Sequence, residues 1–122
     1  MLNLLDISGQ KFYYSTIEEV IESCSQNENC AIIIDENYLE EFLVNGNDII
    51  GPNINQIIII SDSVNTVLSK LEGVSVLLLA AVSLKDAVRL AILGEALSSV
   101  VVCVPKEDKE SVIKILSEVA GK

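Results

Sequence analysis

Polar residues that could take part in chemistry stand where runs of apolar residues end. They are Ser15 and Thr16, then Asp35, Glu36 and Asn37, then Ser61 and Asp62, and finally Lys106. Adjacent carboxylates, such as those at 35–36, can hold Mg²⁺ or act as a general base, and a lysine can bind an anion. We therefore take these eight positions as candidate ligand-binding residues.

The same residue types also have simpler explanations. Acids and hydroxyls at strand-to-helix junctions often serve as N-caps, which is the favoured interpretation at 35–36 and 61–62 and most strongly at Ser83. Lys106 begins a lysine series that is typical of a solvated helix face. The tyrosines at 13–14 could stack on a flat ligand, but covering a sheet edge is the simpler role.

Several groups that commonly carry catalysis are missing. Histidine is absent, which excludes Ser-His and Cys-His nucleophile pairs. The six glycines form neither a GxGxxG nor a GxxxxGK[ST] phosphate loop. The spacing of Cys24, Cys30 and Cys103 matches no zinc site, so buried structural thiols are expected. We predict no catalytic residues, no metal site and no cofactor; a metal enzyme using Asp35 and Glu36 is the remaining enzymatic alternative.

The elements that position these residues follow from the apolar pattern. Two short apolar runs around the Gly-containing turn at 8–10 predict an N-terminal β-hairpin. Continuous aliphatic runs predict four strands covered on both faces, at 30–34, 56–60, 74–80 and 99–104. Helical spacing occurs at 17–24, 38–43, 64–71, 87–92 and 112–119, and the Asn- and Gly-rich segment 45–55 predicts a loop. This alternation predicts one α/β domain over residues 1–122, three-layered and Rossmann-like with a mostly parallel sheet.

Composition narrows the choice of partners. Eight basic and eighteen acidic residues give a formal net charge of −10, which disfavours nucleic acid and anionic membrane surfaces. The longest apolar run, 74–84, is too short to cross a bilayer, and no stretch has the pattern of a secretory signal. We expect a cytoplasmic protein that meets another protein or a small anionic or peptidic ligand; the pattern predicts no particular oligomeric state.

Five segments together carry a family resemblance along the whole chain. They are 9–13 (GQKFY), 16–22 (TIEEVIE), 31–35 (AIIID), 55–61 (NQIIIIS) and the ungapped run 83–105. In this order they resemble the C-terminal domain of the Mur ligases, and are most similar to that of the D-glutamate-adding ligase of peptidoglycan synthesis. The resemblance implies a Rossmann-like fold with an N-terminal hairpin and a substrate-binding role.

The chain departs from that family where the family binds its substrates. Tyr14-Ser15-Thr16 replaces an Asn-Asp-Ser-Lys-type run, and Asp35-Glu36-Asn37 replaces a Gly-Gly and Lys loop. The charged run Lys106-Glu-Asp-Lys-Glu110 replaces a Ser- and Phe-containing loop, and these 122 residues hold no counterpart of the family's ATP-binding domain. The resemblance therefore implies a stand-alone binding or interaction domain without ligase activity.

A second resemblance is to response-regulator receivers. Asp62, Ser83 and Lys106 follow successive predicted strands, as the acceptor Asp, the hydroxyl and the Lys of receivers do, and Asp6 is the earlier acid. This alternative implies a pseudo-receiver signalling domain phosphorylated on Asp62. Against it, the earlier acid is single rather than paired, and the Pro-Lys order at 105–106 is inverted.

Overall fold

The computed structural model describes residues 2–7, 9–24, 30–45, 53–63, 65, 69, 76–93 and 99–120. The strands are β1 (Leu2–Ile7), β2 (Gln10–Tyr14), β3 (Cys30–Asp35), β4 (Ile54–Ile60), β5 (Leu77–Ala81) and β6 (Ser99–Cys103). The helices are α1 (Ile17–Cys24), α2 (Glu36–Asn45), α3 (Leu84–Leu93) and α4 (Lys109–Ala120), the last preceded by a 3₁₀ turn at Lys106–Asp108.

These strands form one six-stranded sheet in the order β1-β2-β6-β3-β4-β5. The hairpin partners β1 and β2 are antiparallel, and Gly9 between them has a φ of 86°, in the left-handed region that glycine tolerates. The pairs β2–β6, β6–β3, β3–β4 and β4–β5 are all parallel. The predicted α/β fold, with a mostly parallel sheet and an N-terminal hairpin, is confirmed.

Helices cover both faces of this sheet, which explains the unbroken aliphatic strands β3, β4 and β6. The prediction of full burial is wrong for β5, because this strand lies at the edge of the sheet and Leu77 is 58% exposed. Successive side chains of a strand point to opposite faces, so Ile32 and Ile34 pack on the first face and Ile33 on the second. The first face also holds residues of α1 and α2, such as Val20 and Phe42. The second holds residues of α3 and α4. A strand buried on both sides needs no polar alternation.

The strand that comes last in the sequence lies inside the sheet. In β6, Val101 pairs with Tyr13 of β2 on one side and with Ile32 of β3 on the other. The chains leaving β2 and β3 enter α1 and α2 on the first face, whereas the chain leaving β6 leads to α4 on the second face. This divergence leaves a gap above the carboxyl end of β6, the position where open α/β sheets bind ligands.

Most element bounds agree with the predictions. Strand β4 begins at Ile54, inside the predicted loop 45–55, because that residue is fully buried and pairs with Cys30 of β3. Of the predicted helix 64–71, the structure describes Asn65 and Ser69, both helical; its other residues lie outside the described part, as do positions 74 and 75 of the third predicted strand and most of the predicted loop. None of the helices described is long and apolar enough to cross a membrane.

Candidate functional site at the carboxyl end of strand β6

A cavity of about 200 Å³ opens above the carboxyl end of β6, between α1 and α2. Three segments of the chain line it: the end of β2 with the start of α1, the middle of α2, and the end of β6 with the turn after it. The lining residues are Tyr14, Thr16, Ile17, Glu18, Tyr38, Glu41, Cys103, Val104 and Lys106. We call this cavity the β6 cleft.

Backbone and hydroxyl hydrogen bonds fix the α1 side of the β6 cleft. The Ser15 N–H donates to the Val102 carbonyl at 3.1 Å and continues the pairing of β2 with β6. The Thr16 hydroxyl oxygen accepts the Glu19 N–H at 3.3 Å, and Val20 N–H donates to the Thr16 carbonyl at 3.0 Å. Thr16 is thus the N-cap of α1 and lies at the cleft for a structural reason. Ser15 is buried, and its hydroxyl donates to the Thr16 carbonyl at 2.9 Å.

Two tyrosines from separate elements form aromatic walls of the cleft. Tyr14, at the end of β2, donates its hydroxyl to the Val104 carbonyl at 3.4 Å. Its ring lies under the Lys109 ammonium, with 5.6 Å between Nζ and the ring centroid, a distance at which a cation and a ring attract each other. Tyr38 reaches the cleft from α2. Burial raises the pKa of both hydroxyls, and Glu107 raises them further.

A buried thiol lies at the end of β6. Cys103 is 1% exposed, and burial, followed by the charges of Glu41, Asp35 and Glu18, raises its pKa to about 12. The thiol is therefore protonated at neutral pH and is a poor nucleophile. The prediction of buried cysteines is confirmed for Cys30 and Cys103; the side chain of Cys24 lies outside the described part.

Carboxylates dominate the charge around the β6 cleft. Glu18 and Glu41 line it, opposed by Lys106 among the described lining residues. Four more acids lie close enough to raise the pKa of a cleft tyrosine or of the cleft thiol: Glu19, Asp35, Glu107 and Asp108. The local field therefore attracts cations and opposes anions.

Three candidates at the ends of β3 and β4 make hydrogen bonds within the protein: Asp35, Glu36 and Ser61. The Asp35 carboxylate accepts the Asn37 N–H at 3.0 Å where α2 begins. Glu36 accepts the Ser61 hydroxyl at 2.6 Å, and that hydroxyl oxygen accepts the Ser63 N–H at 2.9 Å. The Ser61 hydroxyl therefore links the end of β4 to the start of α2.

These residues do not enter the β6 cleft. Asn37 and Asp62 are exposed beyond its lining, and Asp35 acts on it only through its charge. Of the eight candidates, the lining therefore contains Thr16 and Lys106. Among the described residues, no group of three or more Cys, Asp and Glu side chains is placed to hold a metal ion.

The receiver-like residues do not come together. Asp6 pairs with Lys11 next to the hairpin turn, at the amino end of β2, whereas Asp62 follows the carboxyl end of β4. The two acids therefore lie at opposite ends of the parallel strands. Strand β3 separates β4 from β6, after which Lys106 lies. The hydroxyl oxygen of Ser83 accepts the Asp86 N–H at 3.2 Å, so this residue is the N-cap of α3, as predicted.

Sequence reasoning missed Glu18, Tyr38 and Glu41, which lie within helices rather than at strand ends. The three-residue spacing of Tyr38 and Glu41 places them on one side of α2, and that was the available signal. No protein-family model and no curated protein matches this chain.

Proposed function

We propose that this chain is a non-catalytic binding domain and that the β6 cleft is its binding site. The observation that carries the proposal is the position of the cleft: it opens where the chain leaving β6 turns to the face opposite α1 and α2. Its volume of about 200 Å³ is below the roughly 300–1,000 Å³ of pockets that enclose drug-sized ligands. The cleft therefore suits one side chain or a small headgroup better than a whole nucleotide.

The polar groups near the cleft support binding rather than catalysis. The hydroxyl of Thr16 and the carboxylate of Asp35 accept hydrogen bonds that begin helices. The thiol of Cys103, with a pKa of about 12, is protonated at neutral pH and cannot act as a ready nucleophile or base. These features fit a stand-alone domain of the Mur-ligase C-terminal type without ligase chemistry. A reduced, buried Cys103 also fits a cytoplasmic location.

Two measurements test this proposal. Incubation with ATP, Mg²⁺, UDP-muramoyl-alanine and D-glutamate should release no phosphate above a protein-free control, and steady turnover that co-purifies with the chain would contradict the non-catalytic assignment. In parallel, amide NMR spectra should be recorded with a set of small cationic, anionic and neutral compounds. At least one class should shift the amides of Thr16, Tyr38 and Lys106, which surround the cleft.

A matched pair of variants on α2 locates the binding. Glu40 and Glu41 are adjacent and both exposed, but only Glu41 belongs to the cleft lining. Glu41→Gln should change the affinity for whichever compound binds, and Glu40→Gln should not. Shifts confined to another surface, or equal effects of the two variants, would place the binding site elsewhere.

A further inference from the structure

We infer that the β6 cleft takes an organic cation, an alkylammonium or guanidinium group held between Tyr14 and Tyr38 and paired with Glu18 and Glu41. This inference rests on the proposed function, since it names the ligand class of the same site. Aromatic faces together with carboxylates are the surroundings that recognise such cations in proteins. The four residues come from β2, α1 and α2, so the domain's fold, rather than one local motif, brings them to a single cavity.

The structure already places an ammonium group on one of these rings. The Lys109 Nζ lies 5.6 Å from the centroid of Tyr14, although Lys109 is not part of the cleft lining. The Tyr14 hydroxyl also makes a long hydrogen bond of 3.4 Å to the Val104 carbonyl. This contact is an intramolecular example of the cation–ring attraction on which the inference relies, and it does not involve the acidic residues.

Charge selects against an anion in this cavity. A phosphate or carboxylate would meet Glu18 and Glu41 directly, and Lys106 is the opposing charge among the described lining residues. Lys109 adds a second positive charge near Tyr14 from outside the lining. The wider surroundings act in the same direction, because the charged residues that act on the pKa of the cleft thiol are Glu41, Asp35 and Glu18, with no base among them.

Size limits the cation to a single small group. A cavity of about 200 Å³ can enclose the end of a lysine or arginine side chain or a free amine of similar length. Both sources share one chemistry, a positive headgroup on a short alkyl chain. The apolar parts of Ile17 and Val104, also in the lining, can contact that alkyl chain.

The test uses matched probes of one length. n-Butylammonium and n-butylguanidinium carry the proposed headgroup, n-butyrate reverses the charge, n-butanol removes it, and inorganic phosphate serves as a compact anion. Binding is followed by amide NMR and by tyrosine fluorescence, which is unobscured because the chain has no tryptophan. The cations should bind with shifts at Thr16 and Tyr38, and binding should weaken when salt rises from about 0.1 M to 1 M.

Three single variants and one double variant then assign the charges. Glu41→Gln should weaken cation binding about three- to fivefold, because Glu41 is exposed to solvent. The double variant with Glu18→Gln should weaken it further, while Glu40→Gln stays within about 1.5-fold of the parent. Lys106→Gln should strengthen cation binding, because it removes a like charge from the lining. For an anionic ligand the sign reverses, and Lys106→Gln would weaken binding. Thermal unfolding of each variant confirms that the fold is retained.

The outcomes separate the inference from the function on which it rests. Butyrate or phosphate binding in the cleft and losing affinity in Lys106→Gln would overturn the cation but keep the binding site. Equal binding of butanol and butylammonium would likewise overturn the cation but keep the binding site. No shift at the cleft with any probe would overturn both. Acetyl-Gly-Lys-Gly-amide, compared with the Gln peptide, identifies the source: tighter binding than butylammonium indicates a partner's side chain, equal binding a free amine, and either supports the inference.

Discussion

Iodoacetamide should modify Cys103 at least about fiftyfold more slowly in the folded protein than in concentrated urea. A pKa of about 12, against an ordinary value of 9.0, leaves roughly a thousandfold less thiolate at a pH of about 8. A more basic thiolate is also more nucleophilic, and a pKa rise of this size makes each thiolate react roughly twentyfold faster. The net retardation is therefore about fiftyfold, before any further effect of the 1% exposure of the residue.

Tryptic peptide mapping isolates this reaction. Cleavage after lysine and arginine places Cys103 in the peptide 90–106, whereas Cys24 and Cys30 fall together in 12–70. Glu41→Gln should speed the modification of Cys103 moderately, because Glu41 is the leading charge after burial among the causes of the raised pKa. A folded-state rate within about tenfold of the rate in urea would refute the placement of a desolvated thiol beneath an acidic cleft.

The remaining predictions concern stability and the discarded chemistry. Thr16→Ala should lower the free energy of unfolding in urea by about 1 kcal/mol through loss of the N-cap, and Thr16→Ser should restore most of it. Phe42→Ala should cost about 3–5 kcal/mol, whereas Val44→Ala on the same helix, 75% exposed, should change little; equal losses would contradict the burial of the α2 face. Folding raises the pKa of Cys103, so the native state keeps a proton that the unfolded chain releases. Stability should be unaffected by this group below pH 9.0 and fall by about 1.4 kcal/mol per pH unit from there towards about 12, a slope that Cys103→Ala should reduce. Acetyl phosphate with Mg²⁺ should add no phosphate to Asp62 by mass spectrometry, because Asp6 lies at the opposite end of the parallel strands.

The strands and caps could be predicted because their causes are local. Ile32, Ile33 and Ile34 are consecutive and each at most 1% exposed, a pattern that only a strand covered on both faces explains simply. Thr16 and Ser83 each accept the N–H three residues later, as their positions before apolar helical spacing indicate. Both kinds of signal depend on residues within one turn or one strand of each other.

The order of the strands could not be predicted, because aliphatic runs are interchangeable as sheet neighbours. Nothing in the segment 99–103 distinguishes a strand at the edge from one between β2 and β3. The rule that ligands bind beyond carboxyl ends led to Thr16 and Lys106, which line the cleft. It gave equal weight to Asn37 and Asp62, since only the strand order reveals which junctions surround a gap.

The insertion of β6 also makes the proposed binding site a property of the whole domain. Residues from the first twenty positions and from the last twenty-five meet there: the Ser15 N–H bonds to Val102, Tyr14 to Val104, and Lys109 lies over the Tyr14 ring. A ligand that contacts α1, α2 and the end of β6 together binds only when these distant segments are assembled. Binding must therefore stabilise the folded state by mass action, increasingly with ligand concentration. The affinity of the cleft for a small ligand therefore depends on whether the whole sheet is folded.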